Sequence, residues 1–373
     1  MREIINRLKN LPGWSTKRKI VVIESDDWGS IRMPSIEVFE ALKAKGITRE
    51  ENRYEKYDTL ANEADLAELF QVLHSVKDKN GSPAKFTAVS VLANPDYRKI
   101  EKSGFNEYHY ELFTDTLKRT GNAKVIDYWE KGIAGGYFVP EYHGREHLNI
   151  SRWLKALRQG HKATLTAFQH EMYGITFYGH DLKEYSYLAA YDYDDQEELE
   201  LLKEITKDGL NQFEKVFGFQ SSYFVPPNGP LSSRLHDTLA DAGIKAIQTA
   251  RLIYTEPVGK GNTKKQLRYF GKQNSSGQIY TLRNAFFEPS CIPVPDPVNQ
   301  CIHEIGLVFS MHKPAVISSH RVNYIGALHP ENRENGLNAL NKLLKKIILQ
   351  WPEVEFFTST ELVKLMLQKK QSS

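Results

Sequence analysis

The chain has 373 residues, 40% of them hydrophobic and 25% charged, with a formal net charge of +3. That is ordinary globular composition with room for a large core, and its dispersed charge excludes the usual signature of a nucleic-acid or anionic-membrane partner. No run of about 18 apolar residues exists, so no membrane span is expected.

The first predicted strand, 19–24 (KIVVIE), runs into two adjacent acids, Asp26 and Asp27. A strand that ends in carboxylates reads as a site at the C-terminal edge of a sheet, where open α/β sheets and barrels place their chemistry. Helices are predicted over 36–45 and 62–78, then strands over 85–91 and 136–140. Directly after the latter comes His143-Gly-Arg-Glu-His147, two imidazoles four positions apart. On a helical turn they would share one face and reach one ion. A helix over 149–159 stops at Gly160.

Residues 161–194 break the alternation, being rich in His, Tyr, Phe and Gly, and read as a loop insertion. A helix over 195–217 and a strand over 221–225 follow, the strand leading into the rigid turn Phe224-Val-Pro-Pro-Asn-Gly229. Next come a helix over 231–242, closed by Gly243, and a strand over 244–249. Residues 251–296 are irregular and read as a second insertion. The chain ends with a helix over 297–311, a strand over 314–319 that runs into His320, a helix over 333–349, a strand over 353–357 and a helix over 359–369. Thr358 and Glu361 have capping-box spacing at the start of that last helix.

About seven short strands alternating with helices indicate a mainly parallel α/β architecture. The expectation is one domain over 1–373, a distorted (β/α) barrel with insertions near 161–194 and 251–296. The two cysteines, Cys291 and Cys301, form no Cys-x-x-Cys pair and read as thiols of a reducing compartment. MREIINRLKNLPGWSTKRK reads as no signal peptide, so a cytoplasmic location is expected.

Each chemical fragment has a plain structural reading. Adjacent acids after a strand often cap a turn, and paired histidines are frequently surface or core residues. Glu146 precedes the second histidine rather than following the first, which argues against a zincin protease. Together, though, one carboxylate of the Asp26-Asp27 pair with His143 and His147 would form a carboxylate-plus-two-imidazole set with a coordination position left for water, the arrangement of catalytic zinc. Trp28, Trp153, Tyr173, Tyr178, Tyr187, Tyr191 and Tyr193 are candidates for stacking on a sugar ring, with core packing the better reading for any one of them. Asp192, Asp194 and Asp195 read as a solvated helix N-terminus.

In order, the Asp pair, the His-x-x-x-His turn, the Pro-Pro turn and the strand-terminal His320 resemble the polysaccharide deacetylase family, the carbohydrate esterases with a NodB-homology domain. The resemblance spans short stretches between about residues 20 and 321. It implies that Asp27, His143 and His147 bind a divalent ion, Zn²⁺ first among them, that Asp26 is the general base, and that His320 is the general acid. It places Pro227 and Asn228 at the substrate groove and a backbone N–H of that turn at the oxyanion; of the stacking candidates, Trp28 is expected as a substrate contact. The implied activity is hydrolysis of N-acetyl groups on an amino-sugar-containing carbohydrate. The alternatives are an O-acetyl sugar esterase on the same site and a catalytically impaired carbohydrate-binding protein.

The chain departs from the family pattern in four places. Phe224 and Val225 stand where the groove motif carries the Arg that braces the base, leaving Arg32, Arg145 and Arg321 as substitutes. Gly144 replaces the Ser or Thr after the first metal histidine, and Ser318 replaces a Leu. The Asp-and-Trp motif that would orient His320 has no match. Oligomeric state is not legible.

Overall fold

The computed structural model describes residues 11–176, 187–254, 265–291 and 296–371. In chain order its strands are β1 (Ile20–Trp28), β2 (Phe86–Ser90), β3 (Ala93–Pro95), β4 (Tyr110–Leu112), β5 (Phe138–Tyr142), β6 (Tyr223–Phe224) and β7 (Ala246–Gln248). They continue as β8 (Leu252–Tyr254), β9 (Lys265–Leu267), β10 (Ile279–Thr281), β11 (Ala285–Phe286), β12 (Ala315–His320) and β13 (Glu355–Phe357).

Nine of these strands form one sheet, in the order β10-β7-β6-β5-β2-β1-β12-β11 with β13 also on β1. Every pairing in it is parallel. The sheet curls into a distorted barrel whose end strands, β10 and β11, are not paired with each other among the described residues. All seven expected strands are present. The two additional parallel strands, β10 and β11, fall inside 251–296, which the composition alone marked as irregular. They were missed because two- and three-residue strands carry too little periodicity to stand out.

Strand β1 is buried along its whole length and sits at the centre. One edge pairs with β12 from Val21 to Asp26. The other is shared, β13 taking Ile20–Val22 and β2 continuing from Ile23. Parallel strands need long crossovers, and helices supply them. Glu63–His74 and Val125–Ala134 pack against each other on the outer face, as do Pro297–Ser310 and Pro330–Gln350. Val125–Ala134, like Lys162–Gln169 within the first expected insertion, was not anticipated as a helix.

The larger hydrophobic core lies between sheet and helices, anchored by Ile23, Phe86, Phe138 and Ile317. A second core fills the concave side. There Leu362, Val363 and Met366 of the final helix (Ser359–Gln371) pack on Ile20, Val22, Ile279 and Val316. That helix starts where its sequence requires: the Thr358 N–H donates to Glu361 Oε2 at 2.7 Å, and the Glu361 N–H donates to Thr358 Oγ1 at 3.3 Å. Gly160 and Gly243 adopt positive φ just past their helices. Cys291 is an exposed free thiol and Cys301 a buried one. Among the described residues, no helix is long and apolar enough to cross a membrane.

Candidate active site

The C-terminal ends of β1, β5, β6, β7 and β12 open on one cavity of about 290 Å³. Parallel strands all present their carboxyl ends to the same rim, so side chains far apart in sequence meet there. Asp26, Asp27, His143, His147 and His320 all line it.

Two neighbouring residues of a regular strand point to opposite faces. Asp26 and Asp27 reach one cavity because β1 breaks its ladder there. The register against β2 shifts between Ser25 and Trp28, and Asp27 takes φ +75°. A bulge of this kind re-aims a side chain, and a left-handed backbone on a residue with a Cβ is uncommon. Ser30 secures it, its backbone N–H and its hydroxyl both donating to Asp27 O, at 3.3 and 2.8 Å.

The His143–His147 segment is not helical. It is a loop tied down by backbone bonds from Leu92 and Ala93 N–H to Arg145 O, at 2.9 and 2.8 Å. Arg145 grips Glu146 with Nε and Nη2 at 2.7 and 3.0 Å and reaches Asp208 at 2.9 Å. Gly144 turns the chain at φ +110°, where an added Cβ would lie 3.1 Å from Glu146 O. Loop geometry, not helix periodicity, therefore brings the two imidazoles together.

Both reach Asp27. His143 Nε2 lies 3.6 Å and His147 Nε2 3.4 Å from Asp27 Oδ1. One ligand atom from each of the three residues falls within 4.8 Å of the others, and all three residues are buried. His143 Nδ1 meets Val225 O at 2.6 Å. As donor in that bond, Nδ1 carries the ring proton and leaves the Nε2 lone pair free toward the cluster, as a metal-binding histidine requires. Burial, aided by the Arg32 charge, pushes the His147 imidazole well below its ordinary value and keeps it neutral. Burial also works against ionised Asp27, but the carboxyl is held well below the usual range, with the Arg32 charge the leading opposing influence. A carboxylate and two imidazoles that turn ring nitrogens toward it are the donor set a divalent ion needs, so these residues fit one.

Asp26 is braced by an arginine, though by none of the three that sequence offered. Arg283, just past β10, donates from Nη1 to Asp26 Oδ2 at 2.6 Å and from Nη2 to Asp26 Oδ1 at 2.5 Å. Its Nε donates to Glu24 Oε2 at 2.7 Å. Glu24 is itself buried and accepts from Tyr223 and Ser359 at 2.6 and 2.7 Å. Arg32 instead contacts Asp27, Arg145 holds Glu146, and Arg321 is locked on Asp58 at 3.0 and 2.8 Å.

The partner of His320 is Glu288, whose Oε1 lies 2.6 Å from Nδ1. Arg53 and Asn323 hold the other oxygen, Oε2, at 2.7 and 2.8 Å. His320 Nε2 thus faces the cavity, 3.8 Å from Asp26 Oδ2. Burial disfavours its charged form, but Glu288, followed by Asp26 and Asp27, prevails and raises the imidazole above its ordinary value. Glu288 is correspondingly lowered to about 2, its burial outweighed by His320 and Arg53.

The expected substrate contacts divide. Asn228 lines the cavity with a left-handed backbone at φ +54°. Pro227 sits behind it, 3.6 Å from where a Gly144 Cβ would be. Trp28 corrects an expectation: it is 1% exposed, packs edge-on against Trp129 and Phe138, and belongs to the core. The chain turns inward right after the bulge, which takes the indole away from the cavity. Trp153, Tyr173, Tyr187, Tyr191 and Tyr193 are likewise buried core aromatics, and Tyr178 lies outside the described residues. Among the described residues, the aromatic lining the cavity is Tyr54, edge-on to His320 at 5.6 Å, which no sequence pattern marked. Asp195 caps the helix Gln196–Phe217, and Asp192 and Asp194 pair with Arg152.

No protein-family model matches the sequence, and no curated protein does. Solved structures are similar at low identity. A candidate glycoside hydrolase/deacetylase from Parabacteroides distasonis is 10% identical with a TM-score of 0.50, covering 95% of this chain and 72% of that one. A candidate polysaccharide deacetylase from Mycobacterium smegmatis is 11% identical at TM-score 0.43, covering 97% and 94%. PuuE allantoinase is 10% identical at 0.45, covering 94% and 91%. The Parabacteroides likeness shows a shared fold, the one that the resemblance to polysaccharide deacetylases implied.

Proposed function

We propose that the chain is a metal-dependent hydrolase that removes N-acetyl groups from an amino-sugar-containing carbohydrate. One observation carries this reading: a three-residue donor set, an arginine-braced carboxylate and a carboxylate-braced imidazole share one cavity. Asp27, His143 and His147 would hold the ion. A divalent ion there, Zn²⁺ first among candidates, would activate water at neutral pH and polarise an acyl oxygen.

The remaining work falls to the chain's own residues. Asp26, fixed by the Arg283 fork, accepts the proton of the attacking water as general base. Glu24 takes the third N–H of Arg283, so that cation is shared rather than spent wholly on Asp26. His320, whose protonated form Glu288 favours, gives its Nε2 proton to the leaving nitrogen as the C–N bond breaks. Amide and water yield amine and acetate, with one proton taken at Asp26 and one delivered from His320. Two separately braced proton-handling groups are more than a binding protein needs, which favours turnover over the carbohydrate-binding alternative.

Metal analysis of the purified chain, together with acetate release from matched N- and O-acetyl amino sugars, tests the reading. Equimolar metal and release from the N-acetyl substrates are expected. Asp26→Asn should keep the metal and lose about 10²–10⁴-fold in rate. An Asp26→Asn variant of unchanged activity would remove that residue from its role, and faster release from O-acetyl sugars would favour the esterase.

A further inference from the structure

Among the described residues lining the cavity, Arg32 is the cation that these roles leave unused. It is 6% exposed, and its Nη2 lies 3.2 Å from Asp27 Oδ1, the oxygen that also faces both imidazoles. Its other surroundings engage the charge at longer range. Arg32 Nε is buried without a hydrogen-bond partner. The second carboxylate beside it, Asp58, keeps Oδ2 at 3.9 Å and is already gripped through Oδ1 by Arg321. Tyr54 presents a ring face 5.6 Å away. At Gly174 an added Cβ would come within 3.6 Å of Arg32 Cδ and 3.8 Å of Nη1, so the side chain is seated against the cavity wall.

Once Asp27 is committed to an ion, the carboxylate left beside Arg32 is Asp58, 3.9 Å away and already paired with Arg321. A buried cation in that position is stabilised by a negative oxygen that arrives with the substrate. In acyl hydrolysis that oxygen is the carbonyl oxygen. Water adds to the carbon, the π pair moves onto oxygen, and the charge returns to the carbonyl when the C–N bond breaks. The turn after β6 is poorly supplied for this task. Pro226 and Pro227 have no N–H, and Gly229 N–H is spent on Pro226 O at 3.1 Å, which leaves the Asn228 N–H as the donor this turn offers.

We propose that Arg32 is a catalytic residue whose guanidinium donates to the acyl oxygen as it becomes negative, and then to the carboxylate product. The assignment rests on the metal-hydrolase reading of the site but not on any particular sugar.

The test is calorimetric binding of acetate, and of inorganic phosphate as a second oxyanion, to the Zn²⁺-loaded full chain. Wild type, Arg32→Met and Arg32→Lys are compared, with metal content and thermal unfolding recorded for each. Arg32→Met is expected to hold its ion and bind both anions about 10–100-fold more weakly. Arg32→Lys should recover part of the loss, since it keeps the charge without the planar fork, and it carries the comparison if the methionine variant does not fold. On an N-acetyl substrate, kcat should fall about 10²–10³-fold in Arg32→Met, with KM little changed. Equal anion affinity in all three metal-loaded proteins overturns the assignment. A wild-type chain that holds no divalent ion overturns it together with the metal reading. Anion affinity that follows Arg32 in a protein inactive on every sugar upholds it and refutes the sugar substrate instead.

Discussion

Two stretches build this cavity in different ways. The end of β1 and the 143–147 loop supply the ion-binding set and the base from two short clusters, while 279–290 supplies what makes the proton-handling groups usable. Arg283 and Glu288 come from the second stretch, which reads by composition as an irregular insertion. A cluster of ligands shows itself in sequence because its chemistry is concentrated. A lone arginine or glutamate that braces a distant partner is one charge among the 95 in the chain (49 Lys and Arg, 46 Asp and Glu) and carries no local mark.

If the second stretch matters as much as the first, Arg283→Met should have the largest effect on stability and turnover taken together. It leaves two buried carboxylates, Asp26 and Glu24, without their shared cation, and breaking a buried pair from one side costs about 3–5 kcal/mol. Urea unfolding at pH 7 measures it, and acetate release should fall in parallel. A variant as stable and active as wild type would return Arg283 to the status of a passive neighbour.

Trp28→Ala tests the opposite claim, that a residue inside the legible cluster is structural. Loss of about 3–5 kcal/mol of stability is expected, with KM for the acetylated sugar unchanged at a temperature where the variant is folded. A raised KM in a protein of intact stability would restore the indole to the substrate.

The smallest effect is the most specific. Glu288→Gln removes the charge that raises His320, so the alkaline limb of the pH–rate profile should move to lower pH. The stability signs follow from the same pair. His320 is raised, so its contribution is complete below the ordinary imidazole value and is lost as pH rises through the folded one. Glu288 is lowered to about 2, so its contribution is present above the usual carboxylate range and is lost as pH falls toward that value. An alkaline limb that stays where it is in Glu288→Gln would uncouple the pair from catalysis.

Much of the fold was legible for a local reason. The alternation of buried runs and amphipathic stretches exposed all seven expected strands, and the Thr358–Glu361 box, Gly160 and Gly243 marked helix boundaries through bonds within a few residues. What escaped was either too short or not periodic: β10 and β11, and the loop that brings His143 and His147 to one point without a helix. Trp28 lies in the core and not at the cavity because the bulge between Ser25 and Trp28 turns its side chain away.

By itself the sequence determined which residues could hold an ion and handle protons, since ligand chemistry resides in side-chain type and close spacing. Only the tertiary structure decided which charges brace them. Pairing Arg283 with Asp26 or Glu288 with His320 joins segments 257 and 32 positions apart. Such pairs form because a parallel sheet gathers its strand ends at one rim, and burial there makes an unpaired charge too costly to leave alone.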